Sequence, residues 1–98
     1  MIFIIRCIDR PGALETRLKA RPQHLDYLTT AGKAVVFAGP ILGDDGQTIR
    51  GSLIIAEAKD RAAAGAFAAA DPYNKAGVFA SVEISPTRAV FSNPAPAA

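Results

Sequence analysis

Strand-like and helical segments follow one another here in the order β-α-β-β-α-β, and few folds accept that order. Residues 2–8 are rich in β-branched and aromatic side chains and stop at Asp9-Arg10-Pro11-Gly12, a turn by composition. The run is almost unbroken in its apolarity, as expected of a central strand covered on both faces. Residues 13–31 predict a helix, with Leu14, Leu18, Leu25 and Leu28 on one stripe at about 100° per residue. Pro22 interrupts this stretch and predicts a kink or two successive helices. Gly32 is a C-terminal stop. Residues 33–42 and 49–58 predict two strands joined through Gly43-Asp44-Asp45-Gly46 as a hairpin. Gly39-Pro40 inside the first of them asks for an edge position, a bulge or a strand end.

Asp60 is a candidate N-cap for an alanine-rich helix over residues 61–70. Asp71-Pro72 ends that helix, and residues 72–77 predict one more helical turn closed by Gly77. A fourth strand follows over residues 78–85, and residues 88–91 predict a short extra strand. Residues 1–91 therefore read as a single domain and residues 92–98 as a Pro/Ala-rich tail. Short connections and right-handed crossovers steer this order to a ferredoxin-like α+β fold. That fold is a four-stranded antiparallel sheet with both helices on one face. The strands carry apolar residues at both parities, and two helices cover only one side. The open face therefore predicts a homodimer stacked sheet to sheet.

Composition narrows the function. A 98-residue chain has no room for separate cofactor and substrate domains. The net charge is +2 and the basic residues are scattered, without the concentrated footprint of a nucleic-acid binder. The central strands lack the aromatic motif of an RNA-recognition domain, so no nucleic-acid partner is expected. One cysteine, Cys7, forms no intrachain disulfide and fits a cytoplasmic setting. Its place in an apolar strand predicts a buried, inert thiol. The run Met1-Ile2-Phe3-Ile4-Ile5-Arg6 lacks the charged region and length of a signal peptide, and no membrane span is expected. One histidine and one cysteine make no zinc set, and Asp44-Asp45 alone is no ligand set, so no metal is expected. No phosphate-binding glycine loop, nucleotide fingerprint or serine-hydrolase elbow is present. No cofactor is expected.

Chemistry then concentrates on His24, the chain's single histidine. Its unperturbed pKa lies nearest neutrality. Asp71 is the candidate partner, because both helices pack on one face of the sheet. A carboxylate beside an imidazole fixes its tautomer and makes it a better base. Asp71 before Pro72 also reads as an ordinary N-cap. Gly39, Pro40 and Ser52 lie on neighbouring strands of the hairpin, where glycine admits a ligand or another backbone and the serine hydroxyl can orient a polar atom. Tyr73 lines a pocket or packs in the core. Arg17 and Arg21 flank the Pro22 break and are candidates for a carboxylate substrate, with solvated surface arginine as the alternative.

Four pieces resemble the YCII-related family of small ferredoxin-like, dimeric α/β-barrel proteins. They are Arg17-Leu18-Lys19-Ala20-Arg21-Pro22-Gln23-His24-Leu25, Ala38-Gly39-Pro40, Gly51-Ser52-Leu53-Ile54-Ile55, and Ala70-Asp71-Pro72-Tyr73 with Ala76-Gly77-Val78. The resemblance implies that His24 and Asp71 are the active-site pair in a cleft of each protomer. It implies pocket roles for Gly39, Pro40, Ser52 and Tyr73. The wider group contains isomerases, dehalogenating lyases, monooxygenases and decarboxylases. The expectation is a cofactor-free enzyme using a His24–Asp71 acid/base dyad on a small cyclic or aromatic metabolite. The alternative is a noncatalytic module that binds a small molecule or another protein.

Overall fold

Strand β1 (Ile2–Asp9) runs through the middle of the sheet, flanked by β3 (Ile49–Glu57) and β4 (Phe79–Thr87). β2 (Val35–Leu42) pairs with β3 at the edge, giving the order β2-β3-β1-β4 with every pair antiparallel. The edge position explains how β2 tolerates Pro40. The computed structural model describes residues 1–93. Helix α1 (Leu14–Ala31) joins β1 to β2 through a 3₁₀ turn, and α2 (Arg61–Ala69) with the short α3 (Pro72–Lys75) joins β3 to β4. This is the expected ferredoxin-like α+β arrangement.

Parity along the strands separates the two faces. Phe3, Ile5 and Cys7 of β1 and Ser52, Ile54 and Ala56 of β3 point towards the helices and are buried. Tyr73, Val78, Phe79 and Ala68 close the same core. Ile4 with Ile55, Arg6 with Leu53 and Phe37 with Ile55 share the opposite face, which no element among the described residues covers. The close approach of β3 to β1 demands a glycine at residue 51. A Cβ there would meet the Cys7 carbonyl oxygen at 1.9 Å. This glycine makes way for backbone, and it seats the neighbouring Ser52 opposite Cys7.

Three expectations are corrected. Pro22 does not divide the first helical stretch; one helix runs from Leu14 to Ala31 with Pro22 at an exposed position. Packing of the opposite side of the helix carries it through the missing donor. Three of the four leucines do not make that contact: Leu14, Leu18 and Leu25 are 54%, 55% and 42% exposed. Ala13, Arg17 and His24 are buried in their place, with Ala20 and Leu28 packed against the core. Residues 88–91 form no strand. The expected Pro/Ala tail lies, from residue 94 onward, outside the described residues.

The caps behave as read. The Asp60 side chain accepts from the Ala63 backbone N–H at 2.9 Å, and Gly32 and Gly77 adopt positive φ of 61° and 79° where helices end.

Candidate active site

His24 enters the interior because α1 packs mainly on α3 and turns Arg17, Ala20, His24 and Leu28 to the core. Arg17 and His24, seven residues apart, then reach inward from the same side of the helix. Asp71 comes from the junction of α2 and α3, and is 1% exposed. His24 Nδ1 lies 2.8 Å from Asp71 Oδ1, and the same oxygen accepts the Tyr73 backbone N–H at 2.9 Å. Asp71 is therefore both the N-cap of α3 and the partner of His24. A carboxylate is an acceptor, which places the shared proton on Nδ1 and leaves the lone pair on Nε2. The second oxygen, Oδ2, is buried without a hydrogen-bond partner among the described residues.

Tyr73 holds the imidazole flat. The two rings stack at 3.9 Å between centroids with 16° between planes. The Arg17 guanidinium carbon sits 4.5 Å from the centre of the Tyr73 ring. Arg17 also donates from Nη1 to both Asp9 oxygens, at 2.9 and 3.2 Å, and from Nη2 to Ser52 Oγ at 2.7 Å. The cation is thus fixed from three directions. Burial pushes the Asp9 carboxyl above its ordinary range, against the opposing pull of the Arg17 charge and hydrogen bond. Burial likewise raises Tyr73, with Arg17 and Arg21 pulling the other way.

These side chains border one cleft of about 280 Å³ between α1 and the β2–β3 side of the sheet. Arg17, Arg21, His24, Ser52 and Tyr73 supply its polar groups. Leu18, Leu25, Leu28, Pro40 and Ile49 supply apolar wall, and Gly39 lines the cleft beside Pro40. The structure thus brings His24, Gly39, Pro40, Ser52 and Tyr73 to one cleft, with Asp71 hydrogen-bonded to His24 beneath it. Asp44 and Asp45 lie in the β2–β3 turn, where Asp45 accepts from the Gln47 and Thr48 backbone N–H groups at 2.9 Å each. Among the described residues no three His, Cys, Asp or Glu side chains gather as a metal site.

Sequence reasoning missed Asp9. The signal was its parity: it continues Phe3, Ile5 and Cys7 on the buried side of β1. Arg17 was read as one of two flanking cations. Its spacing of seven from His24 places both on the same side of a helix.

Residues 1–88 match the YCII-related domain. This chain belongs to the YCII-related family. Protein YciI of Escherichia coli O6:H1 is 37% identical over 99 residues, covering 93% of this chain and all of that protein. An uncharacterised protein of Haemophilus influenzae is 38% identical over 98 residues, with the same coverage. Among solved structures, 5-chloro-2-hydroxyhydroquinone dehydrochlorinase from Burkholderia phenoliruptrix AC1100, in complex with 2,5-dihydroxybenzoquinone, superposes with a TM-score of 0.82. It is 34% identical, and the match covers 90% of this chain and 94% of that one. No helix among the described residues is long and apolar enough to cross a membrane.

Proposed function

We propose that this protein is a cofactor-free enzyme that moves protons on a small hydroxylated ring, in a lyase- or isomerase-type reaction. The observation that carries the reading is the buried 2.8 Å contact between His24 and Asp71 at the edge of a cleft. Asp71 orients the imidazole and stabilises it once protonated; Nε2 is the base. Arg17 and Ser52 line the same cleft as held donors. An oxygen that gains negative charge when its proton leaves is stabilised there, because the donors need no rearrangement. Asp9 keeps Arg17 in place.

The dehydrochlorinase relative suggests the class of reaction. On a chlorinated hydroxyhydroquinone, His24 removes a hydroxyl proton and the oxygen electron pair becomes a carbonyl. A proton is placed on the ring carbon that carries chlorine. Loss of a second hydroxyl proton then expels chloride with its bonding pair. The net change is the loss of one proton and one chloride, and the ring becomes a quinone without an external oxidant.

The test is anaerobic incubation of the protein with 5-chloro-2-hydroxyhydroquinone, reading chloride release, and with 1,2,4-trihydroxybenzene in D₂O, reading ring deuteration by NMR. The expected result is acceleration of at least one over buffer, lost in His24→Gln. Rates equal to buffer in both assays overturn the reading.

We further propose that two copies pack through their open sheet faces. Ile4, Phe37, Leu53 and Ile55 form a contiguous apolar surface there, and Phe37 is 47% exposed in the single chain.

A further inference from the structure

The cleft contains two guanidinium groups, and they differ in one respect. Arg17 is 5% exposed and its charge is matched by Asp9 at 2.9 Å. Arg21, one helical turn later, lines the same cleft at an exposed position. It makes no hydrogen bond or ion pair to other described residues. Its charge nevertheless reaches inward, since it acts on the Tyr73 phenol together with Arg17.

The charge balance gives this free cation a task. Asp9 and Arg17 cancel, and Asp71 beneath His24 adds a negative charge. Without Arg21 an anion entering the cleft would meet a net negative site. The neighbours of Arg21 define the rest of the ligand. Leu18 precedes it by three residues and Leu25 follows it by four, so both flank it on one side of α1. They are 55% and 42% exposed and line the cleft. The mouth therefore presents an unpaired guanidinium between two apolar side chains. An apolar ring bearing a full negative charge matches that surface.

We propose that Arg21 is the specificity-determining residue of the cleft and selects substrates whose ring carries a carboxylate. This group is separate from the oxygen held by Arg17 and Ser52. The inference rests on the reading of the cleft as a substrate site. A planar guanidinium binds a carboxylate through two parallel hydrogen bonds, which a lysine cannot reproduce.

Calorimetric titration with 2,5-dihydroxybenzoate and with its methyl ester tests it, since the two differ in the charge at one substituent. The wild-type protein is expected to prefer the acid roughly five- to tenfold, the range for a charge-assisted bond partly screened at a cleft mouth. Arg21→Gln should bring the ratio to about one, and Arg21→Lys should retain part of it. Raising salt should shrink the wild-type preference. A preference that survives in Arg21→Gln, or a wild-type protein that shows none or binds neither compound, overturns the assignment. Binding is read without turnover, so the two proposals fail separately. Ring deuteration without carboxylate preference removes Arg21 alone. Carboxylate preference without deuteration supports Arg21 and removes only the reaction.

Discussion

His24 Nδ1 and Asp71 Oδ1 lie 2.8 Å apart, and both side chains are almost entirely shielded from solvent. The same Asp71 oxygen caps α3 through Tyr73. One atom therefore couples the orientation of the imidazole to the position of the helix whose tyrosine stacks on it. Capping and chemistry are not competing explanations for Asp71; the geometry satisfies both.

Asp71→Asn separates them. The amide oxygen can still accept the Tyr73 N–H, so the cap persists and the fold should survive. The amide no longer supplies the negative charge that stabilises a protonated imidazole. Nitrogen-15 NMR of the His24 ring should show the Nδ1–H form in both proteins, because the amide oxygen can accept from Nδ1 as well. Proton-transfer rates should fall about 10²–10⁴-fold, the usual contribution of a positioned base. An unchanged rate would make Asp71 a cap alone.

Much of this fold was legible because its signals are local. The apolar runs at residues 2–8 and 49–58, the Gly43–Gly46 turn composition and the caps at Asp60 and Asp71 each act within a few residues. The burial of α1 was misread for a physical reason. Four leucines on a stripe are the usual mark of a buried face, yet here three of them, Leu14, Leu18 and Leu25, face the cleft or solvent. The face that packs is Ala13, Arg17, Ala20, His24 and Leu28. Its polar members are tolerated because Asp9, Ser52 and Asp71 await them, from segments 8, 35 and 47 residues away. Hydropathy along one helix cannot register partners on other elements. The same limit hid the Asp9–Arg17–Ser52 chain, although the His24–Asp71 pair was legible from the topology and from the family resemblance.

Arg17→Gln tests that chain. The variant leaves Asp9 in a nearly dry site without its cation, and removal of one member of a buried pair costs about 3–5 kcal/mol. The pH dependence follows from burial, which already raises Asp9 above 3.8. A raised acid holds its proton in the folded state longer than in the unfolded chain. Its stabilising contribution is present below 3.8 and is lost as pH rises through the folded value. Without Arg17 the rise should be larger. The deficit of Arg17→Gln in urea unfolding should therefore be smaller at pH 4.5 than at pH 7.5. A deficit independent of pH would show that Asp9 does not depend on Arg17 for its ionisation.

The proposed dimer makes a mass prediction. Light scattering should give about twice the 10.2 kDa of one chain. Leu53→Glu puts a charge on the open face beside Arg6, away from the helices and the cleft. The buried side of the sheet is untouched, so circular dichroism should be preserved while the mass falls to one chain. A wild-type mass of one chain, or a Leu53→Glu protein that stays dimeric, rules out this face as the contact.

Cys7 gives a prediction at alkaline pH. Burial, reinforced by the nearby Asp71 and Asp9 carboxylates, pushes its thiol from 9.0 to about 12. Below pH 9 the thiol is protonated in folded and unfolded chains alike, and its contribution to stability is fully present. Above pH 9 only the unfolded chain loses the proton, so unfolding is favoured and stability declines until the pH passes about 12. Between pH 8 and 9.5 the loss should be on the order of 1 kcal/mol, read as a lower urea midpoint. Tyr27 and Tyr73 are also raised by burial and add a decline of the same sign, centred about a unit higher, at 10.0. The thiol therefore dominates the decline below pH 9.5. Cys7→Ala starts from a lower stability, because a buried sulfur is lost, but its midpoint should fall less than that of the wild type between pH 8 and 9.5. An equal decline in wild type and variant would assign the alkaline sensitivity to other groups.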